Sequence, residues 1–386
     1  MKILVRSGIA AIAAIGLATA FSVSAASTAG ASTPEGSFVN GGHNVVFVQT
    51  DNPAGNQVVA YDRAGNGSLT LANTYSTGGL GGVLSGSVVD HLASQGSLTY
   101  DQSNNLLYAV NAGSNTLSVF SVHGDQLTLH QVVSSFGSFP VSVASHGRIV
   151  YVANAENGGS LQEYVVVFGF LIPIPGSNRP LGLNPTATPQ FTNTPGQVGF
   201  SPDGSKLIVT TKANGNDIDV FNVGFFGLLS PTPVVNSEPN AVPFGITFDA
   251  SGHLVVAESS STNPALATFT LNGDGTVTPL DTVGTGQPAT CWVAPAQGFL
   301  FASNAGGPSV SGFQPAPSGQ LTLLGNTTTD PGTVDASASP DGQFLYVQTG
   351  GNGIVDEFQV NPGGSLTGIG SVTVAGGQGG EGIVAL

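Results

Sequence analysis

Short runs of apolar and β-branched residues, rather than long helical stretches, organise this chain. Each run follows a turn and ends near a polar residue, as in Leu106-Leu-Tyr-Ala-Val-Asn111. Runs of this length and composition, bounded by turn residues, are typical of β-strands. Successive copies lie roughly 45 to 60 residues apart. The seven copies are Asn44–Thr50, Asn105–Asn111, Arg148–Asn154, Lys206–Thr211, His253–Glu258, Gly298–Asn304 and Gln343–Thr349.

Each repeat divides into four strands, of which this run is the second. A short inner strand precedes it, for example Phe244–Phe248, and turns such as Ser201-Pro-Asp-Gly204 connect the two. A third strand of alternating residues follows, for example Thr116–Phe120, and a fourth comes after a Gly turn, for example Gln126–Leu129. Such units predict an all-β fold, a single seven-bladed β-propeller around a central channel, with no helix.

The two ends of the repeat region complement each other. The first repeat begins at Val45 without an inner strand, whereas Glu381–Leu386 has the pattern of an inner strand with nothing after it. The C-terminal strand is therefore predicted to join the first blade and close the ring, which leaves no long exposed edge.

Two stretches interrupt the regular spacing. Leu80–Gln95 is an insertion between the first and second blades, and Val165–Pro195 lengthens the outer edge of the third blade and the passage to the fourth. Both are too short to build a core of their own, so we predict loops rather than separate domains.

The first residues have the pattern of a secretory signal. Lys2 and Arg6 precede an apolar stretch, Ile9–Phe21, and small residues offer cleavage after Ala25 or after Ala31. The apolar stretch is too short to span a bilayer. The sequence therefore predicts a signal peptide within residues 1–31, a propeller over residues 38–386, and a secreted, extracellular monomer without a membrane span.

Composition excludes several classes of partner. Charged residues are only 8% of the chain, and the formal net charge is −15. The basic side chains left after the signal are few and scattered, so they cannot build the phosphate-neutralising surface that nucleic-acid binding needs. The acidic balance likewise disfavours anionic membranes. The single cysteine, Cys291, rules out an intramolecular disulfide and is predicted to be a buried, inert thiol.

Polar residues converge at one rim of the predicted channel, where the second strands run into the third strands. Amides and carboxylates at such a rim are typical of a small-molecule or cation site, although Asn and Gly are also what tight turns need. The candidate ligand-binding residues there are Asp90, Asn111, Asn154, Lys212, Trp292 and Asn304.

Two residues at this rim are candidates for catalysis. Glu258 ends a second strand, and a carboxylate beside an apolar aromatic such as Trp292 can have a raised pKa and act as a general base. His91 lies beside Asp90 in the insertion and can act as a base. Both also have plain structural interpretations, as a hydrogen-bond acceptor and a loop residue. The histidines occur singly, without the spacing of a zinc site, so neither a metal nor a cofactor is predicted.

With the repeats in place, the chain resembles the seven-bladed propeller lactonase-like family, which includes bacterial 6-phosphogluconolactonases and fungal muconate-lactonizing enzymes. The resemblance covers nearly all of the predicted mature chain and implies a propeller that acts on a lactone. The motifs that carry it are Ser201–Gly204, Ser339–Gly342, Tyr151–Asn154, Asn111–Phe120, Pro243–Phe248 and Asn361–Thr367.

The sequence departs from the family at its catalytic positions. The lactonases that it resembles carry a His-x-His after the proline that opens one inner strand, where this chain has Pro195-Gly-Gln-Val198. Their Pro-Arg-His at the next blade corresponds to Pro243-Phe-Gly245. These differences favour a secreted binding or scaffold module, which uses the amide-rich rim for a small molecule, a glycan or an extracellular protein. The alternative is a lactone hydrolase or isomerase in which Glu258 or His91 activates water.

Overall fold

The computed structural model describes residues 44–386, which form seven antiparallel sheets arranged as the blades of a ring. The inner strands of successive blades contact one another in a closed series. The predicted all-β, seven-bladed propeller is therefore confirmed. The predicted signal peptide, residues 1–31, and the predicted start of the propeller at residue 38 lie outside the described residues.

The first blade contains both ends of the described chain. Its strands, from the ring centre outwards, are the C-terminal strand β29 (Ile383–Ala385), then β1 (Val45–Gln49), β2 (Gln57–Arg63) and β3 (Leu69–Ser76).

The other six blades follow in chain order, each from its inner to its outer strand. The second blade is β4 (Leu98–Asp101), β5 (Leu106–Asn111), β6 (Thr116–His123) and β7 (Gln126–Ser134), and the third is β8 (Pro140–His146), β9 (Ile149–Asn154), β10 (Ser160–Val167) and β11 (Phe170–Pro173), with β12 (Arg179–Pro180) beside β10. The fourth is β13 (Gln197–Phe200), β14 (Lys206–Thr210), β15 (Asp217–Asn222) and β16 (Val234–Ser237), and the fifth is β17 (Pro243–Phe248), β18 (Leu254–Glu258), β19 (Ala265–Leu271) and β20 (Val277–Gly284). The sixth is β21 (Thr290–Ala296), β22 (Phe299–Asn304), β23 (Ser309–Pro315) and β24 (Leu321–Thr328), and the seventh is β25 (Thr333–Ala338), β26 (Phe344–Thr349), β27 (Ile354–Val360) and β28 (Leu366–Thr373).

Helical structure is confined to single turns in the described part of the chain. They are the α-helical turn α1 (Lys212–Gly215) and the 3-10 turns Ala112–Ser114, Gln190–Thr192 and Phe225–Gly227. The expectation of no helix was therefore wrong only for these short connections. None of the helices within residues 44–386 is long and apolar enough to cross a membrane.

The C-terminal strand closes the ring as predicted. In β29, Ile383 pairs with Val48 and Ala385 pairs with Val46 of β1 in antiparallel register. Leu386 extends this ladder, because its backbone N–H donates to the carbonyl of Val45 at 2.8 Å. Ring closure gives the first blade a complete set of four strands, in which β1 is paired on both of its edges.

The core lies between neighbouring blades. Residues on the two faces of each second strand pack against different neighbours. Val46 and Val48 of β1 join one cluster with Tyr346 of the seventh blade. Phe47, between them, joins another cluster with Leu107 of the second blade. Alternating side chains therefore bury both faces of a blade, which explains why these runs contain few polar residues.

The first insertion does not extend outward from the ring. Leu84, Leu92 and Ala93 are completely buried in the largest apolar cluster. The backbone of the segment donates hydrogen bonds from Gly81 to Asn52 O, from His91 to Gly379 O and from Gln95 to Gly196 O. These partners lie in the first and fourth blades, so the segment crosses the centre of the ring. We call Leu80–Gln95 the channel plug.

The second insertion is partly regular structure. We expected Val165–Pro195 to be a loop, but it contains the end of β10 and the short strands β11 and β12, all in the sheet of the third blade. Gln131 of the second blade supports it, since its Oε1 accepts the Leu171 N–H at 2.8 Å and its Nε2 donates to Leu171 O at 3.1 Å. The Phe- and Pro-rich composition of this segment gave no indication of β11 and β12.

Ring closure makes a direct prediction. Deletion of Gly380–Leu386 removes the inner strand of the first blade and the buried Glu381, so we expect loss of the cooperative thermal transition measured by circular dichroism. A synthetic peptide of residues 380–386, added in excess, is expected to restore part of it. A truncated protein with the melting temperature of the intact protein would contradict the role of this strand.

Candidate functional site

A cavity of about 430 Å³ lies between the channel plug and the fourth, fifth and sixth blades. It opens at the rim where second strands run into third strands, which is the rim that the sequence indicated. Its volume is within the range of small-molecule sites. Its apolar lining includes Val88, Val89, Phe191, Val242, Phe244 and Pro288, and its polar lining includes Asp90, Lys212, Ser259 and Cys291.

Lys212 fastens the channel plug to the fourth blade. Its Nζ donates to the carbonyl of Ala93 at 2.7 Å, to the carbonyl of Phe191 at 2.5 Å and to Thr194 Oγ1 at 3.0 Å. These partners use all three donors of the ammonium group. Burial lowers the pKa of Lys212 to about 8, and the charges of Asp90 and Glu381 oppose that shift. The group therefore remains mostly charged at neutral pH.

Asp90 lies on the channel plug at the same polar end of the cavity. Its Oδ1 accepts a hydrogen bond of 3.1 Å from Ser87 Oγ. Burial raises its pKa to about 6, while the charge of Lys212 acts to lower it. Among the described residues the two groups form no direct ion pair. At neutral pH the cavity thus contains a carboxylate and an ammonium group that are held by separate partners.

Cys291 and Trp292 form the wall behind this polar end. Sγ of Cys291 lies 3.1 Å from Ser259 Oγ, and burial raises the pKa of the thiol to about 12, which disfavours the reactive thiolate form. Trp292 does not line the cavity. Its Nε1 donates to Ser94 O on the channel plug at 2.5 Å, and its ring centroid lies 4.9 Å from that of Phe244. Trp292 therefore supports the cavity from behind.

Glu258 is the last residue of β18, next to the cavity-lining Ser259. Its own side chain is not part of the cavity lining. Burial, with a smaller contribution from Glu238, raises its pKa to about 7. Among the described residues no donor forms a hydrogen bond with its carboxyl group. Glu258 is thus a buried carboxyl group with a raised pKa, one residue away from the cavity lining.

His91 faces away from the cavity. Its imidazole packs directly on Gly379, where a Cβ atom would lie 2.1 Å from Nε2. Burial lowers the pKa of His91, while a hydrogen bond with the backbone of Asp51 acts to raise it. Within residues 44–386 the buried Nδ1 has no hydrogen-bond partner. The structure therefore places Asp90 and His91, neighbours in sequence, on different sides of the channel plug.

The three candidate rim amides are structural elements of the blade corners. Each lies at the end of a second strand and is completely buried. Nδ2 of Asn111 donates to Ser118 Oγ at 2.8 Å, and Nδ2 of Asn304 donates to Ser311 Oγ at 2.9 Å. Nδ2 of Asn154 donates to the backbone carbonyl of Ser135, after the outer strand of the second blade, at 3.3 Å. A ligand can contact these amides only if the corners open.

Sequence reasoning missed a set of buried carboxyl groups around the channel plug. Glu381 Oε1 accepts hydrogen bonds of 3.0 Å from both N and Oγ of Ser94, and Asp51 accepts one of 2.8 Å from the Glu381 N–H. Burial raises the pKa of Asp51 and of Asp335 to about 7, and it raises that of Glu381 well above its usual value. An acidic residue inside an apolar inner strand, as in Thr333-Val-Asp335, is the sequence signal that was available.

These carboxyl groups predict that stability depends on pH. Their usual pKa is near 4, so between about pH 4 and pH 7 the folded protein binds more protons than the unfolded chain. These carboxyl groups therefore contribute their full share to the free energy of unfolding below about pH 4, and this contribution is lost as the pH rises through about 7. Asp335→Asn is expected to weaken this dependence, by on the order of 1 kcal/mol per pH unit, in denaturant unfolding curves measured from pH 4.5 to 8.

The matched control is Asp62→Asn, which changes an exposed carboxyl group. It is expected to leave the pH dependence of unfolding as in the wild type. Equal slopes for the wild type and Asp335→Asn would show that the buried carboxyl group does not titrate as described.

Comparison with known proteins supports the family resemblance. The family model described as lactonase, 7-bladed beta-propeller, matches residues 20–166. A search of the curated proteins finds no match. The resemblance to lactonase-like seven-bladed propellers is therefore confirmed.

Solved structures with the same fold extend the similarity over most of the chain. A periplasmic gluconolactonase from Pseudomonas aeruginosa has a TM-score of 0.68 at 20% identity, covering 88% of this chain and 98% of its own. A candidate 6-phosphogluconolactonase from Bacteroides fragilis has a TM-score of 0.66 at 18% identity, covering 86% and 95%. A second candidate, from Bacteroides uniformis, has a TM-score of 0.68 at 20% identity, covering 88% and 98%. At these identities the similarity establishes the fold.

Proposed function

We propose that this lactonase-like propeller hydrolyses a lactone in the cavity beside the channel plug. The observation that carries the proposal is that Asp90 and Lys212 line the same cavity, each buried and each held by its own hydrogen-bond partners. The match to the lactonase family supports this activity better than the scaffold function that the missing His and Arg residues favoured.

The proposed reaction uses Asp90 as the general base. Its carboxylate takes a proton from water, and the resulting hydroxide adds to the carbonyl carbon of the lactone. The negative charge that develops on the carbonyl oxygen is stabilised by the nearby charge of Lys212. The bond between the carbonyl carbon and the ring oxygen then breaks, and the ring oxygen receives the proton from Asp90. The product is the open-chain hydroxy acid.

The channel plug explains why the catalytic groups of this chain would not lie at the His and Arg positions of the lactonases that it resembles. A Cβ atom at Gly245, where the resembled lactonases carry histidine, would lie 2.3 Å from Oε1 of Gln95 and 2.7 Å from Cys291 O. The amide of Gln95 is itself held by Val293, through bonds of 2.9 Å and 3.0 Å to its backbone. The end of the plug therefore fills the space that a histidine side chain would need.

The proposal predicts a bell-shaped dependence of kcat/KM on pH. Activity is expected to rise as Asp90 ionises near pH 6 and to fall as Lys212 loses its proton near pH 8. Asp90→Asn is expected to lower kcat/KM by about 100-fold or more, since it removes the general base. Initial rates with a panel of lactones, with thermal unfolding of each variant alongside, measure both effects.

Two further variants test the other candidate bases. Glu258→Gln and His91→Ala are expected to retain most activity, and Asp62→Asn is the control for a change of charge. A loss confined to Glu258→Gln would move the base to that residue. Wild-type turnover no faster than buffer with every lactone would contradict hydrolysis and favour a binding module.

We also propose that the protein is exported and acts as a monomer. The basic, apolar and small-residue sequence of residues 1–31 supports export. The similar gluconolactonase from Pseudomonas aeruginosa is periplasmic, which is consistent with that location. N-terminal sequencing of the protein recovered outside the cytoplasm is expected to begin between about Ala26 and Ser32. An intact Met1 in the membrane fraction would contradict the proposal.

A further inference from the structure

Most of the cavity lining that the described residues form is apolar. The channel plug contributes Val88 and Val89, the fifth blade contributes Val242 and Phe244, and Phe191 faces them from the connection before the fourth blade. Val88 is 84% exposed, although it is an apolar side chain. An apolar group of a ligand would cover this side chain and the wall behind it.

Most polar side chains of the cavity lining already form hydrogen bonds within the protein. The three donors of Lys212 are occupied, as described above. Ser260 Oγ lies 3.2 Å from Thr262 Oγ1, and Thr192 Oγ1 donates to Pro189 O at 3.1 Å. A ligand with several hydroxyl groups would therefore find few free partners, and each unpaired buried hydroxyl group weakens binding.

The charges in the cavity also disfavour a phosphate group. Lys212 is the one cation in its lining among the described residues, and no arginine is present there. A phosphate near Lys212 would also approach Asp90, whose carboxylate is ionised above about pH 6. The turn α1 has only four residues, so it supplies no helical N-terminus for an anion.

We infer that the ligand of this cavity is an uncharged lactone with an apolar substituent, rather than a phosphorylated or polyhydroxylated sugar lactone. The inference rests on the proposed function for the lactone group and on the cavity walls for the substituent. The lactone carbonyl lies toward Asp90 and Lys212, and the substituent lies along Val242 and Phe244 toward Val88. Val242 is then a specificity-determining residue.

A panel of three lactones tests this preference. γ-Nonalactone is neutral with an alkyl chain, glucono-δ-lactone is polyhydroxylated, and 6-phosphoglucono-δ-lactone carries a phosphate. We expect kcat/KM for γ-nonalactone to exceed the other two values by about 100-fold or more. The sugar lactones make fewer apolar contacts, and their hydroxyl and phosphate groups would be left without partners in the cavity. Equal or faster hydrolysis of either sugar lactone would overturn the inference and leave lactone hydrolysis intact.

Val242 offers a variant that changes the wall without disturbing the fold. Its φ of 56° lies in the left-handed region, where asparagine is accommodated more readily than valine. Val242→Asn is expected to lower kcat/KM for γ-nonalactone by roughly tenfold and to leave thermal stability unchanged. The matched control is Phe226→Asn, at an exposed position with φ of 70° outside the cavity, which is expected to change neither. An unaltered kcat/KM in Val242→Asn would contradict its role.

Binding without turnover separates this inference from the proposed function. The chain has one tryptophan, Trp292, which packs against Phe244 behind the cavity, so its fluorescence reports on occupancy. We expect γ-nonalactone to change this fluorescence at lower concentration than glucono-δ-lactone. Saturable binding of γ-nonalactone without hydrolysis would refute the enzyme and retain the ligand class. Tighter binding of glucono-δ-lactone, or no response to γ-nonalactone, would refute the ligand class.

Discussion

The anchoring of the channel plug is the interaction on which the rest of this structure depends. A seven-bladed ring leaves an open centre, and here Leu80–Gln95 fills it with buried apolar side chains and a buried backbone. Every backbone polar group placed there needs a partner. Lys212, Glu381 and Trp292 supply these partners from the fourth, first and sixth blades. Each such hydrogen bond contributes roughly 1 kcal/mol, and together they fix one position for the plug.

This arrangement places the proposed chemistry away from the channel axis. Gln95 occupies the space beside Gly245, and the two charged residues of the cavity lie on the plug (Asp90) and just after β14 (Lys212) rather than on the inner strands of the ring. The propeller thus retains its blades, while the proposed site lies between an insertion and three of them. Such separation of scaffold and site is common, because a rigid sheet framework can support chemistry on its connecting segments.

Burial of ionisable groups links the stability of the plug to the proposed chemistry. The environment that raises the pKa values of Asp51 and Asp335 to about 7 also raises that of Asp90 to about 6. Desolvation is the main cause in each case, and it destabilises the ionised form. A carboxyl group that titrates near neutral pH is useful as a general base, but it makes the folded protein less stable as the pH rises.

The sequence by itself determined the seven blades, their strand order and the closing strand, because these depend on local patterns. Alternation within Thr116–Phe120 and the turn Ser201–Gly204 specify strands and connections without reference to distant residues. It also placed Lys212 and Asp90 at one rim, and both residues line a cavity there. It could not show that Asn111 and Asn304 point into the blade corners, because an amide in a tight turn has the same sequence in either role.

Only the tertiary structure decided the position of the plug and the composition of the cavity. Ser94 meets Glu381 across 287 residues of sequence and Trp292 across 198. Such pairs form when the ring closes, and no local pattern records them. The division of Asp90 and His91 between two sides of the plug has the same origin, because the path of an irregular segment is set by the partners that satisfy its backbone.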